Sequence, residues 1–163
     1  MHLSKFAFDT SIYPWREKFM SLYGVSNLEE IHEFLPDFSS FKGANDSSSL
    51  LHKVFYANYK NHFDDLYLKF LHSLIDIVGE QFYYQSIPCV RFGFPRSKWL
   101  TAFHYDSEYY HPKQELNINL AITASFGSAA LQIQPTPEAS HYISLTQDYG
   151  EFTFIDHNNC KHG

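Results

Sequence analysis

This sequence of 163 residues is poor in cysteine, poor in basic residues and free of long apolar runs. Its two cysteines, Cys89 and Cys160, are far apart and too few for a disulfide scaffold, so we expect a reducing, cytoplasmic environment. The 12 lysines and arginines form no cluster and are outnumbered by 18 acidic residues, which argues against nucleic acid as the main partner. No apolar run approaches the roughly 18 residues of a membrane span, and the first residues lack the apolar core of a signal peptide. We therefore expect neither membrane insertion nor export.

Aromatic residues, by contrast, are abundant. Sixteen Phe and twelve Tyr contribute most of an aromatic content of 18%, within a hydrophobic content of 44%. Together with only 18% charged residues, this composition excludes a disordered chain and predicts a globular protein with an aromatic-rich interior. The length is typical of one domain, so we expect residues 1–163 to form a single domain.

The first half of the chain carries helical signals. Ser26 and Glu29 have the spacing of a capping box, which predicts a short helix as far as residue 35. From about residue 50 to residue 78 apolar side chains recur at helical spacing, which predicts one long helix ended by Gly79. We expect residues 1–79 to be mostly helical, to be irregular outside these two helices, and to pack on the outside of a sheet.

After Gly79 the apolar pattern changes to the alternation typical of strands. Short segments rich in β-branched and aromatic residues predict strands at 83–94, 99–106, 115–122, 131–134, 141–145 and 151–156. Helices followed by strands in this order predict an α+β, mainly β fold, in which residues 80–163 form an antiparallel β-sandwich or a cupin-like jelly roll.

The segment with the clearest functional signal contains His104 and Asp106. On a strand over residues 99–106 alternate side chains share a face, so this imidazole and this carboxylate would point the same way. A second imidazole from a later strand would complete a 2-His-1-carboxylate triad, which binds one face of Fe(II) and leaves the other positions open. His62 and Asp64 have the same spacing, but they lie in a predicted helix, where residues two apart do not face each other. The pair at 104 and 106 is therefore the one that predicts a metal site.

The second histidine is expected near the end of the sequence, and we favour His162. Two alternatives lie in the same stretch: His157 at the predicted end of a strand, and Cys160 in the turn that follows. A thiolate suits Zn, Cu or Fe–S chemistry better than an oxygen-activating site with nitrogen and oxygen ligands. The candidate catalytic and metal-binding residues are thus His104, Asp106 and His162.

Further elements accompany this motif in one order and at one spacing. They are Tyr84 to Pro88, Arg91, Pro95, Phe103 to Pro112, Glu115 to Asn117, Thr123, Phe126 and Gly127, Tyr149 to Glu151, and His162 and Gly163. In these elements the chain from about residue 50 onward resembles the streptomycin-biosynthesis-type proteins of the phytanoyl-CoA-dioxygenase-like branch of the Fe(II)/2-oxoglutarate oxygenases. The resemblance implies a double-stranded β-helix with iron held by His104, Asp106 and His162. It also implies a dioxygenase that uses 2-oxoglutarate and O2 to hydroxylate or oxidise a small metabolite.

One element of this family has no counterpart in the sequence. These oxygenases usually bind the far carboxylate of 2-oxoglutarate through an arginine about ten residues after the second histidine, because a guanidinium matches a carboxylate with two parallel hydrogen bonds. The sequence ends at Gly163, so we expect an incomplete jelly roll from a longer protein, with weak binding of 2-oxoglutarate and little turnover. Arg91 and Arg96 are the substitutes that the sequence offers, and we expect neither to serve.

Other candidate site residues are polar or aromatic. Gln85 and Asn117, on predicted strands, are candidate contacts for the cofactor, together with Arg91. The aromatic candidates for the wall of a dry cavity are Trp99, Phe103, Tyr105, Tyr109 and Tyr110.

Two other classes of function are compatible with the same residues. A cupin-like isomerase or hydrolase would use the triad to bind Zn, Mn or Ni. A non-catalytic binding module would keep the jelly roll without an active site. Since one fold supports many functions, the fold class does not decide among the three.

Overall fold

The computed structural model describes residues 3–34, 49–94 and 102–163. Backbone contacts divide the chain into two compact units. Met1–Thr10 and Trp99–Gly163 form the first, which we call the β unit, and Ser11–Lys98 forms the second, which we call the helical unit.

The described part of the helical unit contains three α-helices, and that of the β unit contains five strands. The helices are α1 (Trp15–Tyr23), α2 (Leu50–His62) and α3 (Asp64–Val78). The strands are β1 (Leu3–Ala7), β2 (Asn117–Leu120), β3 (Leu131–Ile133), β4 (Ile143–Leu145) and β5 (Glu151–Ile155). Single 3-10 turns lie at Ile31–Phe34, Asp106–Tyr109 and Gly127–Ala129. In the described ranges, no helix has both the length and the apolar composition needed to cross a bilayer.

The helical unit is built around an aromatic core centred on Phe63, whose side chain is fully buried (0% exposed). The ring centroids of Phe19 and Phe55 lie 4.7 and 5.1 Å from that of Phe63, and Trp15 stacks on the ring at 6.4 Å. Rings at such distances gain stabilisation beyond that of the area they bury. The aromatic-rich interior expected from the composition is therefore found here.

Phe63 also interrupts the single helix predicted from residue 50 to residue 78. Its backbone angles, φ −123° and ψ −22°, are not helical, so α2 ends at His62 and α3 begins at Asp64. The prediction of one helix was wrong because apolar spacing indicates which face is buried but not the backbone angles at one residue. The predicted end was correct: Gly79 closes α3 with φ +83°, a conformation that glycine adopts without steric cost.

The predicted helix from residue 26 to residue 35 is reduced to the 3-10 turn Ile31–Phe34, and residue 35 lies outside the described residues. The Glu29 backbone N–H donates to the Asn27 side chain at 3.1 Å. This local bond competes with helical hydrogen bonding, which explains why the capping-box spacing did not start a helix.

The strand predicted over residues 83–94 is also wrong, because this segment is irregular. Tyrosine hydroxyls from the helices take the place of a neighbouring strand. The Tyr67 hydroxyl donates to the Gln85 carbonyl at 2.9 Å, and the Val90 N–H donates to the Tyr56 hydroxyl at 3.3 Å. These two backbone groups thus have partners without sheet pairing.

The β unit contains an antiparallel sheet in the order β1-β5-β2. Leu3 and Asn117 both pair with Ile155, from opposite sides of β5. As the central strand, β5 is buried from Phe152 to Ile155. The segment that became β1 was predicted to be irregular, and this was wrong because its partner strand lies far away in sequence, where no local pattern indicates the pairing.

A second antiparallel sheet joins β3 and β4. Single bridges extend it from Ile133 to His162, and from His162 to His104. The described part of the predicted strand at 99–106 is reduced to that one bridge, because the chain turns at Asp106 into a 3-10 turn. The other four predicted strands appear, shortened, as β2 to β5. With sheets of three and two strands described, the jelly roll remains a prediction.

Candidate metal centre

Backbone pairing places two imidazoles side by side. His104 and His162 form an antiparallel bridge in which each N–H donates to the other's carbonyl, at 2.9 and 3.0 Å. Directly opposed residues of an antiparallel pair project their side chains to the same face. The two ring centroids accordingly lie 4.4 Å apart.

Asp106 brings a carboxylate to these imidazoles from the first position of its 3-10 turn. Its Oδ1 lies 3.5 Å from Nε2 of His104 and 3.4 Å from Nε2 of His162. Two atoms that each bind one ion at about 2.1 Å lie roughly 3.0 to 3.4 Å apart at right or tetrahedral angles. One ligand atom from each of the three residues lies within 4.8 Å of the others. The structure therefore brings together the three predicted ligands, with the carboxylate on a turn instead of the expected strand.

The second nitrogen of each histidine determines which atom faces the carboxylate. His104 Nδ1 lies 2.9 Å from the Ala102 carbonyl, and His162 Nδ1 lies 3.3 Å from the Cys160 carbonyl. Because a carbonyl only accepts hydrogen bonds, the proton of each neutral ring is held on Nδ1 and the lone pair is on Nε2. Three electron-donating atoms then face one another, an arrangement that a divalent cation would stabilise. This donor set fits a transition-metal ion.

Asp106 is buried (8% exposed) and its carboxyl group is nevertheless ionised. Burial alone would raise the pKa of Asp106, but the hydrogen bond from His157 and the other nearby imidazole outweigh burial and hold the pKa well below its ordinary value. The site therefore carries a negative charge, which would offset part of the charge of a bound cation.

His157, one of the alternative ligands, approaches the other oxygen of this carboxylate. Its Nδ1 lies 3.4 Å from Asp106 Oδ2, and its ring stacks on that of His162 with centroids 3.8 Å apart. Burial lowers the pKa of His157 and favours the neutral ring. His157 thus contacts the carboxylate on the side away from the two Nε2 atoms, a contact that the sequence did not predict.

Cys160, the other alternative, is a core residue. Its thiol is fully buried with Ile133, Leu145 and Ile155. Burial raises the pKa of Cys160 to about 11, so the group is a neutral thiol and not the thiolate that binds metals.

Asn117 lies beside the centre, although its contact differs from the predicted one. Its Nδ2 donates to Asp106 Oδ2 at 2.6 Å, so it contacts the carboxylate of this candidate ligand directly. Gln85 and Arg91 belong to the irregular segment of the helical unit, where Gln85 Nε2 lies 3.9 Å from Cys89 Sγ. Their role as cofactor contacts remains a prediction.

The predicted aromatic residues have different environments. Tyr109 packs edge-on against His104 with ring centroids 5.2 Å apart, and Tyr105 donates its hydroxyl to the Gln134 side chain at 3.3 Å. Tyr110 is 96% exposed and so does not line an enclosed wall. The other two candidates are Phe103, which packs on Tyr142, and Trp99, which like Arg96 lies outside the described residues.

Comparison with known proteins gives one informative similarity. Streptomycin biosynthesis protein StrG from Streptomyces griseus is 27% identical over 118 residues, which is 72% of this chain and 55% of that protein. The chain is similar to a streptomycin biosynthesis protein. It spans about half the length of that curated relative. No protein-family model matches the sequence, and no solved structure matches it. The resemblance to streptomycin-biosynthesis-type proteins is therefore confirmed, and the assignment to the oxygenases remains a prediction.

Proposed function

We propose that this chain carries the metal centre of a non-haem Fe(II)/2-oxoglutarate-dependent dioxygenase that hydroxylates or oxidises a small metabolite. The observation that supports this proposal is the convergence of His104, Asp106 and His162 through two Nε2 lone pairs and one carboxylate oxygen. Two imidazoles and one carboxylate on one side of an ion are the ligand set of many oxygen-activating Fe(II) sites.

The residues of the chain would hold and orient the metal. The backbone carbonyls of Ala102 and Cys160 fix the tautomers of the two histidines, and the Asp106 carboxylate offsets part of the positive charge. Tyr109 packs edge-on against the ring of His104. When bound, Fe(II) together with 2-oxoglutarate and O2 supplies the conversion of a C–H bond to C–OH, while 2-oxoglutarate becomes succinate and CO2.

The proposal is tested by anaerobic titration of the chain with Fe(II) and an excess of 2-oxoglutarate. We expect a visible metal-to-ligand charge-transfer band that disappears in Asp106→Ala. Asp76→Ala, which removes an exposed carboxylate from α3, is the matched control and should keep the band. A band of equal strength in Asp106→Ala would contradict the proposal.

The same experiment separates the other two functions. Uptake of Zn, Mn or Ni in preference to Fe(II), without the charge-transfer band, would indicate a cupin-like isomerase or hydrolase. Failure to take up any divalent metal would indicate a non-catalytic module.

A further inference from the structure

The two oxygens of Asp106 have different partners. Oδ1 faces Nε2 of both His104 and His162, at 3.5 and 3.4 Å. Oδ2 faces Asn117 Nδ2 at 2.6 Å and His157 Nδ1 at 3.4 Å. One oxygen is thus directed at the metal position and the other at two N–H groups.

The tautomer of His157 follows from its surroundings. Its Nε2 is buried and has no hydrogen-bond partner within the described part of the chain. A proton on Nε2 would leave a buried N–H donor unpaired, whereas a proton on Nδ1 points at a carboxylate oxygen. In the neutral ring the proton is therefore on Nδ1, and His157 is a second donor to Oδ2.

Both donors are held by the central sheet. Asn117 is the first residue of β2 and pairs with Ile155, the last residue of β5, and His157 follows two residues later. The Asp106 backbone N–H donates to the His157 carbonyl at 3.0 Å. Carboxylate and donors therefore keep their relative positions without a metal.

Asn158, the residue after His157, anchors the turn at His157 to the segment that follows Asp106. The Asn158 side chain donates to the Pro112 carbonyl at 2.8 Å, and the backbone carbonyl of Asn158 accepts the Ser107 hydroxyl at 3.1 Å. The turn that carries His157 is therefore tied at several points, and its imidazole is positioned before any ligand binds.

We propose that Asn117 and His157 are positioning residues that hold Oδ2 of Asp106, so that this carboxylate binds the metal through Oδ1 alone. The inference rests on the proposed metal centre and adds a consequence for its open positions. Three protein ligands in an octahedron leave three sites for exchangeable groups. If Oδ2 were free to bind as well, one of these three sites would be lost.

The test uses Mn(II) as the probe and measures its dissociation constant together with the number of bound waters, from water-proton relaxation. Asn117→Leu and His157→Leu remove a donor at similar volume, and His157→Asn returns an N–H near the position of Nδ1. We expect about 10- to 100-fold weaker binding in the two leucine variants, as is typical when partners of metal ligands are removed. We also expect one bound water fewer, so that inner-sphere relaxation falls by about a third. His157→Asn should restore most of both values.

Thermal unfolding of each variant without metal separates positioning from folding. A leucine variant that keeps the wild-type number of waters would overturn the proposal, as would a His157→Asn variant no better than His157→Leu. If the wild-type chain binds no Mn(II) and Asp106→Ala behaves identically, the metal centre itself is refuted and the positioning role with it. Mn(II) binding that depends on Asp106 but not on the donors would refute the positioning role alone.

Discussion

The helical unit and the β unit are stabilised in different ways. In the helical unit, Phe63 and the rings around it form an apolar core between the helices. In the β unit, polar groups are buried and paired with one another, as where Gln147 Nε2 donates to the Asn119 carbonyl and the Thr153 hydroxyl, each at 3.1 Å. Apolar packing tolerates small displacements, whereas a buried polar group requires its partner at one distance and angle. The candidate metal centre is in the unit whose contacts have this second, stricter requirement.

The comparison of the two units can be tested by substitutions, and we expect the largest loss of stability from a change in the helical unit. Phe63→Ala removes a fully buried ring from the centre of the aromatic core and should lower the free energy of unfolding by about 3–5 kcal/mol. Urea unfolding followed by the helical circular dichroism signal measures it. Tyr83→Ala, which removes an exposed ring from the same unit, should change the value by less than about 0.5 kcal/mol. Equal losses in the two variants would show that Phe63 is not the centre of the core.

The next effect concerns the metal centre. His162→Ala removes one ligand and should weaken divalent metal binding more than about 100-fold, beyond the loss expected for a partner of a ligand. Isothermal titration measures it. His72→Ala, an exposed histidine of α3, should leave binding unchanged. Comparable weakening by both changes would place the bound metal elsewhere than at residue 162.

A smaller effect is expected at the buried polar pair of the β unit. Thr153→Val keeps the shape of the side chain but removes the oxygen that accepts from Gln147, which leaves a buried N–H unpaired and should cost about 1–2 kcal/mol of unfolding free energy. The exposed Thr136→Val is the control in the same unit. Unchanged stability of Thr153→Val in urea would mean that apolar packing dominates in the β unit as well.

The smallest expected effect is a pH dependence of the free energy of unfolding that comes from an ion pair between β1 and β5. Lys5 Nζ lies 2.6 Å from Glu151 Oε2, and this contact, followed by the Asp148 backbone N–H, lowers the pKa of Glu151. A lowered pKa in the folded state means that the stabilisation is complete above the unfolded pKa of about 4.3 and is lost as the pH falls through the folded value.

Since both groups of this ion pair are partly exposed, we expect it to contribute only a few tenths of a kcal/mol to the free energy of unfolding. Unfolding measured from pH 6 to pH 3 should show less acid destabilisation in Glu151→Gln than in wild type, and high salt should remove that difference. An identical profile for the two proteins would exclude the ion pair as the cause.

The sequence correctly predicted elements that depend on the spacing of residues close together in the chain. The apolar stripe of α3 and its end at Gly79 were correct, as were the alternating segments that became β2 and β5. The errors occurred where tertiary contacts outweigh a local preference. Phe63 breaks a helix to enter the core, and β1 forms only because β5 pairs with it.

The candidate ligands were predicted for a reason that was only partly right. The prediction for His104 and Asp106 used a strand in which alternate residues share a face, yet Asp106 lies on a 3-10 turn. The two groups nevertheless converge, because the bridge to His162 positions His104 and the His157 carbonyl positions the Asp106 backbone. The donors to Oδ2 were not predicted in that role, since no spacing in the sequence links Asn117, His157 and Asp106.

By itself the sequence determined an aromatic-rich interior and supplied two histidines and an aspartate, residue types that can bind a transition metal. The tertiary structure alone decided which oxygen of Asp106 faces the histidines, which histidine supports the carboxylate and that Cys160 is a core thiol. The physical reason is that residue type sets what a side chain can donate or accept, whereas distance, tautomer and burial depend on backbone pairing between segments far apart in the chain.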